Sequence, residues 1–407
     1  MRTLHDIDLQ GKTVLLRADY NVPLENGKIT DDYRVLQSLP TIEYLLKQQC
    51  RIVILSHLGR PEGQRNDKYS LRPVAIHLAQ LLKRAVVLAD SPADVDTAAN
   101  QVTLLENLRF WPGEEANDVG FAQELAELGE VFVQDGFGVV HRAHASTAAI
   151  AQYLPSVAGL LLDKEVAFIT DAMESPKRPL VVIFGGAKIS DKIQVIERFI
   201  DRADSILIGG AMANTFLAYA GLPIGKSIYE PGQEEMIEGL LHKVLEKEET
   251  DCSACRDLTD HNELLAAQHT IDIPTDVAVA PAIEESARRR IVTTDAVGED
   301  EYILDLGPET IRHYQEILAA AGTVVWNGPV GYTELSQFRE GSNLLATTLK
   351  EHKDYLQSII GGGDTAGFVL SWDVDAGGSF SHVSTGGGAA LDLMAGKELP
   401  GIAALSD

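Results

Sequence analysis

Short runs of valine, isoleucine and leucine recur along the whole chain and are separated by longer amphipathic stretches. This alternation is typical of β-strands and α-helices that alternate around a parallel sheet. The predicted strands lie in the runs 14–21, 52–61, 102–110 and 131–137 of the first half, and in the runs 180–188, 206–214, 277–281, 324–331, 359–365 and 382–390 of the second half. The pattern therefore predicts the α/β class, with a similar alternation in each half.

Helical patterns fill the stretches between the predicted strands. We expect helices at 31–49, with Pro40 as a restart point, at 121–128, and at 190–200 after a cap at Ser190 or Asp191. The stretch 162–176 also has a helical pattern, and it carries none of the candidate functional residues. We predict that this helix connects two domains.

Length and charge narrow the classes of function. Dividing 407 residues by roughly 150 residues per domain gives about 2.7, which indicates two or three domains. The net charge of −26 disfavours nucleic acid or an anionic membrane as a partner, so any anion needs a local basic pocket. The 3 cysteines fit a reducing compartment, and the sequence shows neither an apolar leader nor a run of about 18 apolar residues. We expect a soluble, cytoplasmic protein.

The chemistry at the predicted strand ends differs between the two halves. Ligands bind at the carboxyl ends of strands in open α/β sheets. In the first half, these ends carry polar and cationic side chains: Asp19, Asn21, His57, Arg60, Arg109, Arg142 and His144. In the second half, they carry glycines: Gly185-Gly186, Gly209-Gly210, Gly328, Gly361-Gly362-Gly363 and Gly386-Gly387-Gly388. Arginine forks suit small anions, and glycine turns at helix starts suit phosphate chains, so the sequence predicts phosphoryl transfer.

Two motifs of the second half fit a metal-bound nucleotide. Lys188 and Lys192 stand four positions apart where a helix is expected to begin, which would place both ammonium groups on one face. Asp364 and Thr365 follow the triple glycine, and a single carboxylate suffices for Mg²⁺ when phosphate oxygens and water complete the shell. Asn327 and Glu334 are candidates for contacts with the γ-phosphate and the ribose. The alternatives are surface lysines and an ordinary aspartate cap. For Arg34, the alternative is a local salt bridge with its neighbours Asp31 and Asp32.

Four other motifs are weaker. His141 and His144 could bind a metal, but no further histidine or cysteine lies close to them in sequence. The run 220–227 resembles a phosphate-binding loop but lacks its first glycine and follows a helical stretch. Cys252 and Cys255 could form a zinc site with His261 and His269, although a tolerated loop insertion fits better. Gly361-x-Gly363-x-x-Ala366 matches a relaxed dinucleotide fingerprint, which leaves an NAD-dependent dehydrogenase as an alternative.

The chain resembles the phosphoglycerate kinase family from end to end. The resemblance rests on blocks in the family's order: VLLRADYNVPL, SHLGRP, ENLRF, GFGVVHRAHAS, GGAKISDKI, GGAMANTF, WNGPVG, GGGDTA and STGGGAALDLMAGKELPG. It implies two doubly wound, Rossmann-like domains joined by a hinge helix. The first (1–165) would bind 3-phosphoglycerate, the second (166–390) would bind the nucleotide, and 391–407 would pack back on the first. The implied protein is a monomeric, cytoplasmic enzyme of glycolysis that uses Mg²⁺ with ADP or ATP and closes about a hinge.

The resemblance also implies a role for each matching residue. The implied 3-phosphoglycerate ligands are Asp19, Asn21, Arg34, His57, Arg60, Arg109 and Arg142. The implied nucleotide ligands are Lys188, Lys192, Asn327, Glu334, Gly361, Gly362, Gly363, Asp364 and Thr365. Asp364 would be the magnesium ligand, while Arg34, Lys188 and Lys192 would act on the transferred group. A non-catalytic binder of anionic metabolites on the same scaffold remains an alternative, because fold alone does not fix function.

Overall fold

The computed structural model describes residues 1–247 and 270–405. The chain divides into two compact units. Unit 1 comprises Met1–Ala167 and the residues from Thr385 onward, and unit 2 comprises Phe168–Ser384. The return to unit 1 lies earlier than the expected residue 390, because helix Gly387–Met394 already packs on a turn of unit 1.

The strands and helices follow the alternation of the sequence. The strands are β1 (Thr13–Arg17), β2 (Leu24–Glu25), β3 (Lys28–Ile29), β4 (Arg51–Leu55), β5 (Val87–Ala89), β6 (Val102–Leu105), β7 (Val131–Gln134), β8 (Ser156–Ala158), β9 (Leu180–Phe184), β10 (Ser205–Ile208), β11 (Ile271–Asp272), β12 (Asp276–Ala280), β13 (Arg290–Thr293), β14 (Tyr302–Leu306), β15 (Thr323–Asn327), β16 (Gln357–Gly361) and β17 (His382–Val383). The helices are α1 (Tyr33–Lys47), α2 (Arg72–Leu82), α3 (Pro112–Glu115), α4 (Val119–Ala126), α5 (Leu160–Glu174), α6 (Ile193–Ile200), α7 (Gly210–Tyr219), α8 (Glu234–Lys247), α9 (Pro308–Ala319), α10 (Glu340–Glu351), α11 (Gly363–Trp372), α12 (Gly387–Met394) and α13 (Pro400–Ala403).

Each unit is built on a parallel sheet. The strand order in unit 1 is β5-β6-β4-β1-β7-β8, and the described strands of unit 2 have the order β11-β10-β9-β15-β16-β17. The strands near the middle of each sheet, such as β1 and β9, are buried along their whole length, as expected for strands covered on both faces. The predicted α/β class with parallel sheets is therefore confirmed.

One predicted strand belongs to a different sheet. The run 277–281 forms β12, which pairs antiparallel with β13 and β14 in a separate small sheet. Its valines, Val277 and Val279, pack in one apolar cluster, while Ala278 and Ala280 pack in another. A strand that is buried on both faces looks alike in sequence whether its neighbours are parallel or antiparallel. The pattern therefore gave the strand but not its sheet.

The helix expected at 31–49 runs as one helix, so the restart at Pro40 was wrong. A proline in a helix interior removes one backbone hydrogen bond. Here the apolar face formed by Val35, Ile42 and Leu45 is completely buried. We infer that this packing compensates for the lost bond. The expected connector at 162–176 corresponds to α5, within which the chain passes from unit 1 to unit 2.

Candidate functional site

The polar strand ends of unit 1 meet at one cavity of about 270 Å³. The side chains come from the segments that follow β1, β4, β6 and β7, and from the start of α1. Parallel strands bring their carboxyl ends to the same edge of the sheet, so residues far apart in sequence become neighbours. His144, the other polar strand-end residue, does not line the cavity, whereas the seven residues with an implied 3-phosphoglycerate role all do: Asp19, Asn21, Arg34, His57, Arg60, Arg109 and Arg142.

Arg34 faces the cavity instead of its sequence neighbours. Its Nη1 lies 3.4 Å from Asp19 Oδ2 and donates to the Asn21 carbonyl at 2.8 Å. Its Nε donates to the Thr385 carbonyl at 3.1 Å. Asp32, by contrast, pairs with His77 at 2.8 Å. The alternative in which Arg34 only balances the adjacent aspartates is therefore not supported.

Asp19 and His57 form the acidic and neutral part of this cavity. Burial alone would raise the pKa of Asp19, but the charge of Arg34, the Asn21 N–H and the charge of Arg17 hold it below its usual value. Burial lowers the pKa of His57 well below its usual range, and Arg17, Arg109 and Arg34 lower it further against the effect of Asp19. At neutral pH, Asp19 is therefore an anion and His57 is neutral.

The remaining arginines differ in how firmly they are held. The Arg109 side chain is only 3% exposed; its Nη1 donates to the Gly59 carbonyl at 2.7 Å, and its Nε lies 3.2 Å from Glu115. Arg142 Nε donates to His141 Nε2 at 3.1 Å, whereas Arg60 is exposed. These cations surround one small cavity with Asp19 as the neighbouring acid, and guanidinium groups in such an arrangement suit a compact, multiply charged anion.

The possible metal role of the HRAH motif finds no support. Burial lowers the pKa of His144 to about 4, and the nearby Arg109, Arg17 and Arg142 add to this shift. Within 1–247 and 270–405, no group of three or more histidine, cysteine or acidic side chains could hold a metal ion. A cation would also be repelled by the surrounding guanidinium groups.

Two features of this cavity escaped the sequence argument. Gly386, Gly387 and Gly388, expected at the nucleotide end, line the cavity of unit 1 because the chain has already returned there at Thr385. Arg17 is 1% exposed in the buried strand β1, and its Nη2 lies 3.4 Å from His57 Nδ1. An arginine inside an apolar run was the signal that could have identified it, since a buried charge requires partners.

Unit 2 contains a second cavity of about 200 Å³ with different walls. Most of its lining is glycine and apolar side chains, with three acidic residues, Asp305, Glu334 and Asp364, among them. The lining includes Gly186, Gly210, Ile228, Leu304, Val330, Glu334 and Asp364. Glu334 and Asp364 are both exposed. Apolar walls with a few polar groups are typical of sites that hold a flat organic ring and its polar substituents.

The two lysines do not share a helix face, so that part of the prediction was wrong. Helix α6 begins only at Ile193, and both lysines lie in the loop before it. Lys192 Nζ instead donates to the carbonyls of Gly185 at 2.6 Å and Asn327 at 3.1 Å. Burial lowers the pKa of Lys192 to about 8, although Asp364 and Asp191 favour the charged form. Lys188 is exposed.

Gly328 permits this close arrangement of strand ends. Its φ is +99°, and a Cβ atom there would lie 2.3 Å from the Gly185 carbonyl carbon and 2.7 Å from Lys192 Nζ. Any larger residue would therefore push the ends of β9 and β15 apart and displace the lysine. Glycine is the residue that tolerates both the positive φ and the contact.

The GGGDT segment forms a strand, a tight turn and a helix start. Gly362 has a φ of +87° and precedes α11, so the exposed Asp364 lies in the first turn of that helix. Thr365 Oγ1 accepts the Gly328 N–H at 2.6 Å, and its side chain is completely buried. The Thr365 side chain is therefore held by the fold, and its role as a phosphate ligand stays a prediction.

Asn327 carries a buried donor that lacks an acceptor. The side chain is 2% exposed, and among the described residues none accepts a hydrogen bond from its Nδ2. Leaving a buried donor unpaired costs about 1–3 kcal/mol. Such a group is a candidate to contact a ligand, and the γ-phosphate contact of Asn327 stays a prediction.

The remaining motifs have structural explanations or lie outside the described residues. The run 220–227 follows helix α7 instead of a strand, and Lys226 pairs with Asp300 at 2.7 Å. The segment from Gly361 to Ala366 has the strand–turn–helix form of a dinucleotide site, but Ser384 follows β17 where that site needs an acid. Cys252, Cys255, His261 and His269 lie outside the described residues.

This is an α/β protein with an arginine-lined cavity in unit 1 and a cavity of mostly glycine and apolar walls in unit 2, an arrangement expected of a phosphotransferase that acts on a small metabolite. The phosphoglycerate kinase family model matches residues 4–397. The chain therefore belongs to the phosphoglycerate kinase family, and it is a phosphotransferase with a carboxyl group as acceptor. None of the described helices is both long and apolar enough to span a bilayer.

Individual relatives agree with the family model over nearly the full length. The phosphoglycerate kinase of Roseiflexus sp. (strain RS-1) is 44% identical over 415 residues, with 100% of this chain and 99% of the relative covered. That of Pelotomaculum thermopropionicum is 43% identical over 413 residues at the same coverage. The solved phosphoglycerate kinase structure from Coxiella burnetii superposes with a TM-score of 0.84 at 38% identity, covering 99% of this chain and 98% of that one. The family assignment opposes the dehydrogenase alternative.

Proposed function

We propose that this chain transfers a phosphoryl group reversibly between 1,3-bisphosphoglycerate and ADP, giving 3-phosphoglycerate and ATP. Unit 1 binds the phosphoglycerate and unit 2 binds the nucleotide. The observation that carries the proposal is the convergence of four arginines on one small cavity of unit 1. A phosphate and a carboxylate on a short carbon chain match those cations, because planar guanidinium groups bind both oxyanions with paired hydrogen bonds.

The nucleotide site follows from the walls of the second cavity. The apolar surface around Leu304 and Val330 accommodates the base, and Glu334 is positioned on the lining to accept hydrogen bonds from ribose hydroxyls. Lys188, Lys192 and the backbone N–H groups at the start of α11 bind the phosphates. The glycines Gly361, Gly362 and Gly363 allow the phosphate chain to approach the backbone.

The donor set also fits Mg²⁺ brought in with the nucleotide. Asp364 presents one exposed carboxylate beside the phosphate region, and magnesium is commonly held by one or two carboxylates together with phosphate oxygens and water. When bound there, the ion would neutralise charge on the nucleotide phosphates. Asp364 would be its protein ligand.

The chemistry requires positioning and charge neutralisation. In the direction of ATP use, a carboxylate oxygen of 3-phosphoglycerate forms the new bond to the γ-phosphorus while the bond to the β,γ-bridging oxygen breaks, and ADP leaves with that oxygen. The carboxylate is already ionised at neutral pH, so no general base is needed. Arg34, Lys188 and Lys192 neutralise the charge that spreads over the transferred group, and Asn327 donates to it from Nδ2.

Nucleotide affinity is expected to fall above pH 8. Lys192 has a pKa of about 8 in the ligand-free protein, so it loses its charge as the pH rises through that value. A bound phosphate favours the charged form, and binding above pH 8 therefore takes up a proton. Titration calorimetry of MgADP from pH 7 to 10 should show Kd rising above pH 8, with proton uptake. Lys192→Arg, which stays charged, should lack this dependence; the same dependence in both proteins would contradict the assignment.

Direct transfer also implies a closing movement. An acyl phosphate is sensitive to water, and in-line transfer tolerates little misalignment, so the two bound substrates must meet away from solvent. We propose hinge bending at α5 and at residues 390–396. Small-angle X-ray scattering should show a smaller radius of gyration with 3-phosphoglycerate and a non-hydrolysable ATP analogue together than with neither. Equal radii would exclude such a closure.

A coupled assay tests the proposed function itself. ATP-dependent phosphorylation of 3-phosphoglycerate, read through reduction of its product by an added dehydrogenase, should be strong with Mg²⁺ and lost in EDTA. Binding of both ligands without any transfer would instead support the non-catalytic alternative. Failure to bind either ligand would reject the proposal. We further propose that the protein is a cytoplasmic monomer, for which sedimentation should give the mass of one chain.

A further inference from the structure

The loop that carries both lysines needs support from outside itself. Lys188 and Lys192 flank Ser190 in a segment that precedes α6, and the helix holds only its last residue: the Lys192 carbonyl accepts the Ile196 N–H at 2.9 Å. Long lysine side chains lose considerable conformational entropy when they are fixed. A backbone that is already held in place lowers that cost for the ligand.

Glu230 supplies a contact at the middle of this loop. Its carboxylate accepts hydrogen bonds from Ser190 N, at 3.1 Å to Oε2, and from Ser190 Oγ to Oε1. Burial acts to raise the pKa of Glu230, but the hydrogen bonds from Ser190 and Ile189, together with the charge of Lys188, hold it below its usual value. The ionised carboxylate therefore binds the loop at Ser190, midway between the two lysines.

Glu230 is itself anchored to the wall of the nucleotide cavity. Its backbone N–H donates to Thr215 Oγ1 at 3.1 Å, and Asn214 Nδ2 donates to the Ile228 carbonyl at 2.9 Å. Asn214 and Thr215 are both buried in α7, and both Asn214 and Ile228 line the cavity. The segment 228–230 thus joins α7 and the cavity wall at one end to the lysine loop at the other.

We propose that Glu230 is a positioning residue for phosphoryl transfer, which holds the lysine loop through Ser190 so that Lys188 and Lys192 meet the nucleotide phosphates. The inference rests on the proposed function. It does not give Glu230 contact with substrate. Because Glu230 acts only through the two lysines, its loss should weaken binding of the nucleotide phosphates and leave binding of the base unchanged.

The test combines kinetics with binding of ADP and adenosine to the full-length protein. Glu230→Ala is expected to lower kcat by about 10- to 100-fold, since a displacement near 1 Å can cost that much. KM for 3-phosphoglycerate should stay within about twofold, because that ligand binds in unit 1. Kd for MgADP should rise by about tenfold while Kd for adenosine is unchanged. Glu235→Ala, which removes an exposed carboxylate from α8, is the matched control and should behave like wild type.

A double-mutant cycle separates positioning from a general loss of stability. Ser190→Ala should give a smaller loss of kcat than Glu230→Ala, and the double variant should be no worse than Glu230→Ala alone, because both act through one contact. Additive losses, or equal losses for ADP and adenosine binding, would overturn the inference. If Glu230→Ala does not fold, Ser190→Ala with the same two ligands decides. Absence of transfer by the wild-type protein would count against the proposed function, while the ADP and adenosine affinities would still test Glu230.

Discussion

Replacing Lys192 with alanine is expected to lower kcat by about 100-fold or more, because the loss of one preorganised donor to a developing charge typically costs about 3–4 kcal/mol of barrier. Lys192 is suited to that role by its position. The carbonyls of Gly185 and Asn327 hold its ammonium group at the ends of neighbouring strands, and Asp364 favours its charged form. Steady-state kinetics with both substrates saturating gives the value.

Lys226 offers a matched control for this substitution. It also lies in unit 2, its side chain is half-exposed and pairs with Asp300, and it is the lysine of the rejected phosphate-loop sequence. Lys226→Ala should leave kcat within about twofold, as expected for an exposed ion pair. A Lys192→Ala variant with near wild-type kcat would remove Lys192 from the transfer step. A large loss in Lys226→Ala would reopen the phosphate-loop interpretation.

Replacing Arg34 with alanine is expected to reduce kcat by about 100-fold or more and to raise KM for 3-phosphoglycerate. Arg34 is the cavity arginine that is paired with the buried Asp19 and remains 30% exposed, so it can turn toward a ligand. Its removal also leaves the Asp19 carboxylate facing the substrate with less compensation. Both changes act against an anionic substrate and an anionic transition state.

Arg65 provides the comparison in the same unit. It is 54% exposed and pairs with Asp90 at 2.6 Å. Arg65→Ala should have kinetics close to wild type, whereas Arg34→Lys should recover only part of the loss because an ammonium group lacks the planar fork. Full recovery in Arg34→Lys would show that charge alone matters. An unchanged kcat in Arg34→Ala would exclude its catalytic role.

The sequence predicts much of this molecule because the relevant signals are local. Apolar runs gave the starts of the central strands, and the strand-end rule brought Asp19, His57 and Arg109 together without any knowledge of distances. In the basic cavity, Asp19, His57 and Arg109 each follow their strand within a few residues. The parallel sheet then brings these strand ends, and the side chains that follow them, to the same edge.

The errors arise where a property depends on a distant partner. Gly386–Gly388 moved to the other unit because no local pattern reveals where the chain crosses back. Lys192 lies outside α6, since the carbonyls that hold it belong to β15 and to the end of β9. Thr365 turns inward because Gly328 supplies a donor. The pattern of neighbouring residues in the sequence does not predict any of these contacts.

A crystal structure of the protein soaked with 3-phosphoglycerate and MgADP would show directly which unit binds which substrate. We expect 3-phosphoglycerate among Arg34, Arg60, Arg109 and Arg142 in unit 1. We expect the ADP phosphates beside Lys192 and Asp364 in unit 2. Phosphoglycerate bound in unit 2, or ADP seated among the arginines, would contradict the division of roles on which the mechanism depends.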